Sequence, residues 1–505
     1  MILRAIPILA ALLATSALAI PPNFGQPVEH GPLVSTLDPV RLPKRKSILQ
    51  LSKRELASLR RGFSQMKAWN SAPHGSANYR RSLQYWANVH AYFGEHCSDP
   101  ANMAGKQGLA EVSVQQPDPL GRDPWCQCEH ATAHFLTWHR MYLYYFERVL
   151  QAAAGDASLR LPYWDYNGDG HLPAAYRIPR IRGRTGFFIP NPLYAAARQP
   201  ALNSGADTLD PAIIDTHPAM SQGRYSSAVA GAGFNLALES MPHNPVHCAV
   251  SLADCGSGLM GLVESAGLDP IFYSHHSNID RLYDCWLQVD PARRLPPPIF
   301  HTAEFTFVDG DGSLVRRRVG DMLTSWQLGY AYTAGAGCPS AAAMAQARAL
   351  GEAGQFRMLP VHGEIRLGRG LTNVPLELSP AARAALADPR GGPKRTLLVL
   401  DRITYDAPPG VMYKLYLQPR GTPRRFIGVL DFFNSIEHHH HGGGDAVNRA
   451  LTLDISRGAR IGDGPVSLLF EPTTGLSRST PEIAARRVNP RANVRIASAR
   501  IAIAE

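Results

Sequence analysis

Residues 128–147 read CEHATAHFLTWHRMYLYYFE, an aromatic and apolar run in which His130 and His139 stand nine positions apart. At about 100° per residue, that spacing turns the two rings to opposite sides of one helix, so a single helix cannot deliver both to one ion. They converge if His130 sits on the loop before the helix and His139 on its first turns. A loop ligand paired with a helix ligand is ordinary metal-site construction. The stretch therefore predicts a buried helix entered through a ligand-bearing loop, and the remaining ligands must come from elsewhere in the chain.

Histidines stand in helical contexts at three further places. An apolar helical pattern begins near Ala77, runs through YRRSLQYWANVHAYF and carries His90 on its side, where a lone histidine is more often a satisfied core residue than a ligand. In LESMPHNPVHCAV (238–250), Pro242 and Pro245 fit only a first helical turn, so a helix starts there and His243 and His247, at i and i+4, share one face. In GLDPIFYSHHSNIDRLYDCW (267–286), Ile279, Leu282 and Trp286 form a helical stripe. Only one of His275 and His276 can point along a given direction, the other lying about 100° away. The histidines thus fall into two groups of three. Three imidazoles per ion with an open position is a catalytic arrangement, and all-imidazole ligation suits copper or zinc. No carboxylate or thiolate recurs in ligand position, which weighs against iron and against a structural zinc site.

The bulk properties narrow the classes. MILRAIPILAALLATSALA has one basic residue, an apolar run from Ala5 to Leu13 and a small-x-small end at Ala17 to Ala19, so residues 1–19 are expected to be a signal peptide and the mature protein exported, periplasmic or secreted, with no membrane partner after signal removal. The 505 residues include 45% hydrophobic and 18% charged, which excludes global disorder. The net charge is +10, but the arginines are scattered rather than striped, so no nucleic-acid partner is expected. Seven cysteines in an exported chain suggest disulfides with one left over.

Ser52 begins a helical pattern as N-cap, with Glu55 three residues on. After Pro298 the pattern turns to strand: FTFVDGDGSLVRRRV (305–319) reads as a hairpin about an Asp-Gly turn. From Arg395 on, at least six short alternating runs, TLLVLDRITYD to VRIASARIAI, suggest an all-β sandwich. The layout expected is a mainly α catalytic domain over 20–335, a linker over 336–394 rich in Ala and Gly with one helical piece, and a β-sandwich C-terminal domain over 395–505. Arg140, Asp280 and Arg281 are expected to hold the ligand helices through buried salt bridges. His134, His171, His217, His301 and His362 lack metal-like spacing or position.

Two stretches, His130 to Glu147 (HATAHFLTWHRMYLYYFE) and Asp269 to Asp280 (DPIFYSHHSNID), resemble the signatures of the tyrosinase and polyphenol oxidase family of binuclear, type-3 copper proteins. ESMPHNPVH, MGLVESAGLDPIF, FVDGDGSLVRRRVGDML and MYKLYLQPRG are similar to its plant-type branch, including the C-terminal β domain. The resemblance implies a four-helix core around two copper ions, the first held by His90, His130 and His139 and the second by His243, His247 and His276. In the family pattern the ligand of the doublet stands four residues before the Asp, which leaves His275 to support the ligands. Glu239 and Asn244 match positions that hold and polarise a water for phenol deprotonation, although Asn244 could equally cap a helix start.

Three departures stand out. Where plant-type enzymes carry a thioether-forming cysteine this chain has Gly94, while Cys128-Glu129-His130 resembles the Cys-x-His thioether of fungal tyrosinases. Cys128 is therefore expected to link to His130, and the other six cysteines to pair as Cys97–Cys126, Cys248–Cys255 and Cys285–Cys338. The alternative is a disulfide at Cys128 with another thiol free. Val263 stands where the plant-type branch often has an aromatic gate over the second copper. The run His438 to His441 is either a solvent-facing loop or a copper-capturing element. The implied activity is ortho-hydroxylation of monophenols and oxidation of o-diphenols to o-quinones by dioxygen. Its rivals are a catechol oxidase confined to diphenols and an oxygen-binding, haemocyanin-like or latent precursor protein. Oligomeric state is not legible.

Overall fold

The computed structural model describes residues 28–29, 41–91, 124–183, 185–253, 255–289, 294–338, 355–387, 395–433, 449–456 and 464–504. The signal segment 1–19, Gly94, Cys97, the side chain of Cys126 and the His438–His441 run lie outside the described residues. Among those described, no helix is long and apolar enough to cross a membrane.

Helix α1 (Lys53–Ala68) opens with the expected capping box: the Glu55 amide donates to Ser52 Oγ at 3.2 Å and the Ser52 amide to Glu55 Oε2 at 2.7 Å. Its buried face carries Leu59, Phe63 and Met66. The helix expected as one piece from Ala77 is two, a single turn Ala77–Arg80 and then α2 (Leu83–His90). Ser76 and Ser82 each accept from the amide three residues on (Tyr79 and Tyr85, both 3.1 Å), and the second cap restarts the chain in a new direction. His90 is the last residue of α2.

Helix α3 (Phe135–Ala154) is the long buried helix, ended by Gly155 in the left-handed conformation at φ 59°. It crosses α1 so closely at Gly62 that a Cβ there would lie 2.6 Å from Leu150 Cδ1. Helix α4 (Asn244–Val250) follows a wide turn over Glu239–His243 in which Met241 is extended (φ −160°, ψ 121°). The helix thus begins at Asn244, two residues later than the prolines suggest, because Met241 cannot join a helical turn. Helix α5 (Pro270–Gln288) is capped by Asp269, whose carboxylate accepts from the Ile271 amide at 3.1 Å.

One buried carboxylate fixes α3 against α5. Asp280 Oδ1 receives Arg140 Nε at 2.6 Å, and Oδ2 receives the hydroxyls of Tyr330 and Tyr332, both at 2.6 Å, with Arg45 Nη1 at 3.5 Å. Arg45 also meets Glu147 at 2.9 Å. Burial alone would raise the Asp280 pKa, but Arg140, Arg45 and the two hydroxyls hold it below its ordinary value. Arg281 lies 3.6 Å from the half-buried Asp165, on a loop rather than a ligand helix.

Strands β1 (Glu304–Val308) and β2 (Leu314–Arg318) form the hairpin read at DGDG, with Gly312 at φ 89°. Beyond it the linker expectation needs correction. Residues 355–387 contain β3 (Phe356–His362), β4 (Thr372–Leu376) and a helix, α6 (Pro380–Ala387). The longer strands that follow are β5 (Thr396–Thr404), β6 (Met412–Pro419), β7 (Arg425–Leu430), β8 (Arg449–Asp454), β9 (Val466–Thr473) and β10 (Arg495–Ala504). They make two antiparallel sheets, β4-β9-β6-β7 and β8-β5-β10-β3. Half-apolar runs such as FRMLPVH show weak alternation in isolation, and it is the pairing with β10 that makes β3 a strand.

The expected consequence of the Asp280 network is measurable. Asp280→Asn leaves Arg140 buried beside a neutral amide and should cost about 3–5 kcal/mol, read as a lowered urea midpoint of tryptophan fluorescence. An unchanged midpoint would show that the pair carries no stability.

Candidate metal centre

His90 at the end of α2, His130 on the loop before α3 and His139 in its second turn converge with Cys128, their donor atoms all within 4.8 Å of one another. The spacing of nine is resolved as the sequence required, by a loop position and a helix position. His243, His247, His275 and His276 form a second such group. The groups adjoin: the rings of His139 and His276 stack at 4.6 Å and 13°.

The fold holds one nitrogen of several rings and turns the other inward. His90 Nδ1 is bound to the Val263 carbonyl (2.8 Å), His139 Nδ1 to Phe135 (2.7 Å) and His247 Nδ1 to Met260 (2.9 Å). A carbonyl can only accept, so each Nδ1 carries the proton and each Nε2 is left a bare lone pair. His243 Nδ1 is fixed in the same way by Asn244 Oδ1 at 2.7 Å. His139 Nε2 is buried with no hydrogen-bond partner. In the second group the Nε2 atoms of His243 and His247 both lie 3.3 Å from Nε2 of His276. One proton on His276 can serve only one of those lone pairs at a time, so the group carries more acceptors than donors. A spacing of about 3.3 Å is also the edge of a tetrahedron around an ion with bonds of about 2.0 Å. A metal ion fits this donor set.

The electrostatics agree. Burial, then the proximity of neighbouring imidazoles, holds His139, His243, His247 and His276 well below the usual histidine range, and burial holds His275 at about 3. Neutral rings keep their lone pairs for a cation. His275 lies flat against His243, at 5.3 Å and 18°, whereas His276 presents Nε2 to both partners. Aromatic rings close the sides: Phe135 against His139 and His243 (4.7 Å each), Phe272 against His90 (4.6 Å) and His276 (4.2 Å).

Four of the residues singled out from sequence make contacts of their own. Val263, at the family's gate position, lends its backbone carbonyl to His90 of the first group. Asn244 caps no helix start, since its side-chain oxygen is used by His243. Glu239 Oε1 accepts from the Ala131 amide at 2.7 Å, on the loop that carries His130 and at a residue with φ 56°. Cys128 is buried and in no disulfide, its thiol raised well above its ordinary pKa by burial, with Sγ 3.4 Å from His130 Nδ1. Cys248–Cys255 and Cys285–Cys338 are paired as expected, while the pairing of Cys97 with Cys126 lies outside the described residues.

Two residues of the site were missed from sequence. Asn235 is buried one helical turn before Glu239 and braces the same loop. Its Nδ2 donates to the Thr132 carbonyl (2.7 Å), and its Oδ1 accepts from the Leu136 amide (3.0 Å), with the Tyr225 hydroxyl at 2.9 Å. A polar side chain at i and i+4 with Glu239 in FNLALE was the available signal. Phe433, from the β region, stacks on His247 at 4.1 Å and 13° and lies edge-on to His243 (5.8 Å) and His130 (6.3 Å). Nothing local in the sequence marks it.

The bracing is expected to be separable from the metal ligands. Asn235→Ala leaves a buried carbonyl and amide unsatisfied, a loss of about 1–3 kcal/mol, with faster hydrogen exchange confined to 131–136 and weaker copper retention against a chelator. Unaltered exchange at the Leu136 amide would remove the role.

The family described as the common central domain of tyrosinase matches residues 80–227 and 211–289. A tyrosinase of Hahella sp. is 30% identical over 395 residues, covering 71% of this chain and 78% of that one. The chloroplastic polyphenol oxidase of Vitis vinifera is 29% identical over 288 residues, half of this chain and 42% of that protein, so this chain spans under half the length of that plant relative. The structure of latent apple tyrosinase shares the fold over 95% of this chain and 100% of that chain, at 20% identity and a TM-score of 0.57. With two buried histidine groups able to take one ion each, the chain belongs to the tyrosinase family, the type-3 copper oxidoreductases that oxidise phenols.

Proposed function

We propose that this protein hydroxylates monophenols at the ortho position and oxidises o-diphenols to o-quinones, and that in the form described it is latent. The observation that carries the proposal is Phe433, a phenyl ring lying parallel over His247 between the two histidine groups. A phenol ring stacked in its place would present its oxygen to the same imidazoles.

We assign one copper to His90, His130 and His139 and the other to His243, His247 and His276. When bound, the pair supplies the electrons that activate dioxygen for attack on the phenol. The residues do the rest. Phe135 and Phe272 exclude water from the buried rings, and the Val263, Phe135 and Met260 carbonyls keep the imidazoles in one tautomer. A phenol with a pKa of about 10 must lose its proton near neutral pH. We assign that step to Glu239, one turn before His243, through a water that Asn244 helps to hold. The bonds of Glu239 to Ala131 and of Asn244 to His243 support a second duty, orienting a ligand from each group. The Cys128–His130 thioether belongs to the same reading. It would appear as a tryptic peptide lighter by two hydrogens that resists alkylation. We also place the start of the C-terminal unit near Gln355 rather than Arg395, supported by the pairing of β3 with β10.

Oxygen uptake by the copper-loaded chain tests the proposal. Phe433→Ala removes a buried phenyl worth about 1.5–3 kcal/mol, so diphenol turnover by the intact chain is expected to rise about 10- to 100-fold. No turnover of either substrate by either form would sink the enzyme and leave an oxygen carrier. Turnover of diphenols alone would select a catechol oxidase. Glu239→Gln is expected to lower monophenol turnover by about 10²- to 10⁴-fold while sparing diphenols. An equal loss on both would reduce Glu239 to bracing the loop.

A further inference from the structure

One feature of the helical domain serves neither the metal centre nor the β region. Arg180–Arg182 pairs antiparallel with Phe188–Pro190 in the register Ile181↔Ile189, a two-stranded hairpin to which no third strand adds among the described residues. Its base is tied down: Asn191 Nδ2 donates to the carbonyls of Ala175 (2.8 Å) and Ile178 (2.7 Å), and the Asn191 amide donates to Pro179 (2.9 Å). The tip closes through Gly183 to the Phe187 carbonyl at 2.7 Å, and Arg180 Nη2 holds the Phe188 carbonyl at 2.7 Å. The hairpin is therefore built, yet its apolar side chains face water. Phe187 is 77% exposed, Phe188 56%, Ile189 45% and Ile178 42%. Three consecutive large apolar residues exposed on the ribbon, with Ile178 exposed just before it, form the kind of patch that marks an interaction surface.

The charge around it selects the partner. Residues 170–206 hold Arg177, Arg180, Arg182, Arg184 and Arg198 and no Asp or Glu. Arg198 is used inward on Asp269, while Arg180 and Arg182 are exposed on the hairpin itself. A second copy docked symmetrically through this ribbon would set those arginines against their own counterparts, like charge on like. The complement required is anionic at its surface and apolar a few ångströms beneath, which is the chemistry of an acidic lipid bilayer.

We propose that the Arg180–Pro190 hairpin docks this protein onto anionic membrane surfaces, with Phe187, Phe188 and Ile189 entering the headgroup boundary and Arg180 and Arg182 meeting lipid phosphates. The inference is independent of which phenols are oxidised. It is tested by co-sedimentation of the full chain with vesicles of phosphatidylcholine alone or with phosphatidylglycerol added, at low and high salt. Binding is expected only to the mixed vesicles and to weaken with salt. The double variant Phe187→Ser, Phe188→Ser should bind at least about tenfold more weakly. Arg180→Gln with Arg182→Gln should remove the preference for phosphatidylglycerol. Both variants alter exposed positions, so unchanged thermal melting confirms that each is folded. Failure of the parent chain to sediment, equal binding to both vesicles, or variants that bind like the parent would each overturn the proposal. So would a dimer in analytical ultracentrifugation that the phenylalanine variant dissolves, which would assign the patch to a second copy.

Discussion

The charge on Asp280 is the constraint through which the helical domain is registered. Arg140 directly follows His139, and Asp280 comes one turn after His276, so the bond between them locks α3 and α5 within a residue or a turn of a histidine from each group. Arg45 and the hydroxyls of Tyr330 and Tyr332 extend the lock to two segments distant in sequence. Such a network is weak evidence for stability, because desolvating its members offsets much of their attraction. Its contribution here is geometric. A hydrophobic contact tolerates sliding by an ångström, whereas a charged pair at 2.6 Å does not.

That precision matters because the histidine groups are locally unfavourable without a cation. Seven imidazole rings lie within one core, and the hydrogen bonds made by the Nδ1 atoms of four of them aim their Nε2 lone pairs at common points. Left to themselves the rings would rotate to share protons. They are prevented by carbonyls of fixed backbone, by Phe135 and Phe272 wedged between them, and by the Asn235 and Glu239 bonds that hold the His130 loop. The cost of holding the lone pairs together falls on the surrounding fold and is returned when an ion binds.

Much of this was legible because it is written locally. The loop-and-helix placement of His130 and His139 follows from an angle, the capping box at Ser52 from two side chains three residues apart, and the hairpin at DGDG from turn chemistry. What escaped depends on tertiary context. Ser82 restarts a helix only because the new direction buries Trp86 and Val89, and a sequence pattern does not distinguish a cap from an ordinary helical serine. The strand at 356–362 exists by virtue of a partner near the C-terminus. The hold on His90 comes from the Val263 carbonyl, which every residue has, so no side-chain pattern could announce it. Phe433 reaches the histidines from another sheet, and no window around it hints at that.

The same long-range connectivity bears on how the β region is held over the centre. Beyond Phe433, it grips the helical domain through the Leu209–Leu476 bridge, Lys414 on Asp210 (3.1 Å), Ser477 on Asp207 (2.7 Å) and Thr452 on the Ala230 carbonyl (2.7 Å). Gly475, at φ 77°, sits where a Cβ would lie 2.8 Å from that of Ala249, so the β region also touches α4 two residues beyond His247. These contacts are independent of the covalent connection between the domains. A chain cut before Phe356 keeps both sheets whole and all of these bonds in place, while a cut within 356–376 strips an edge strand from one sheet or the other. Severing the connection would therefore not in itself move Phe433 off His247. What keeps the ring there is the summed grip of the interface, and displacing it would require either a loosening of that grip or the loss of strands that give it shape.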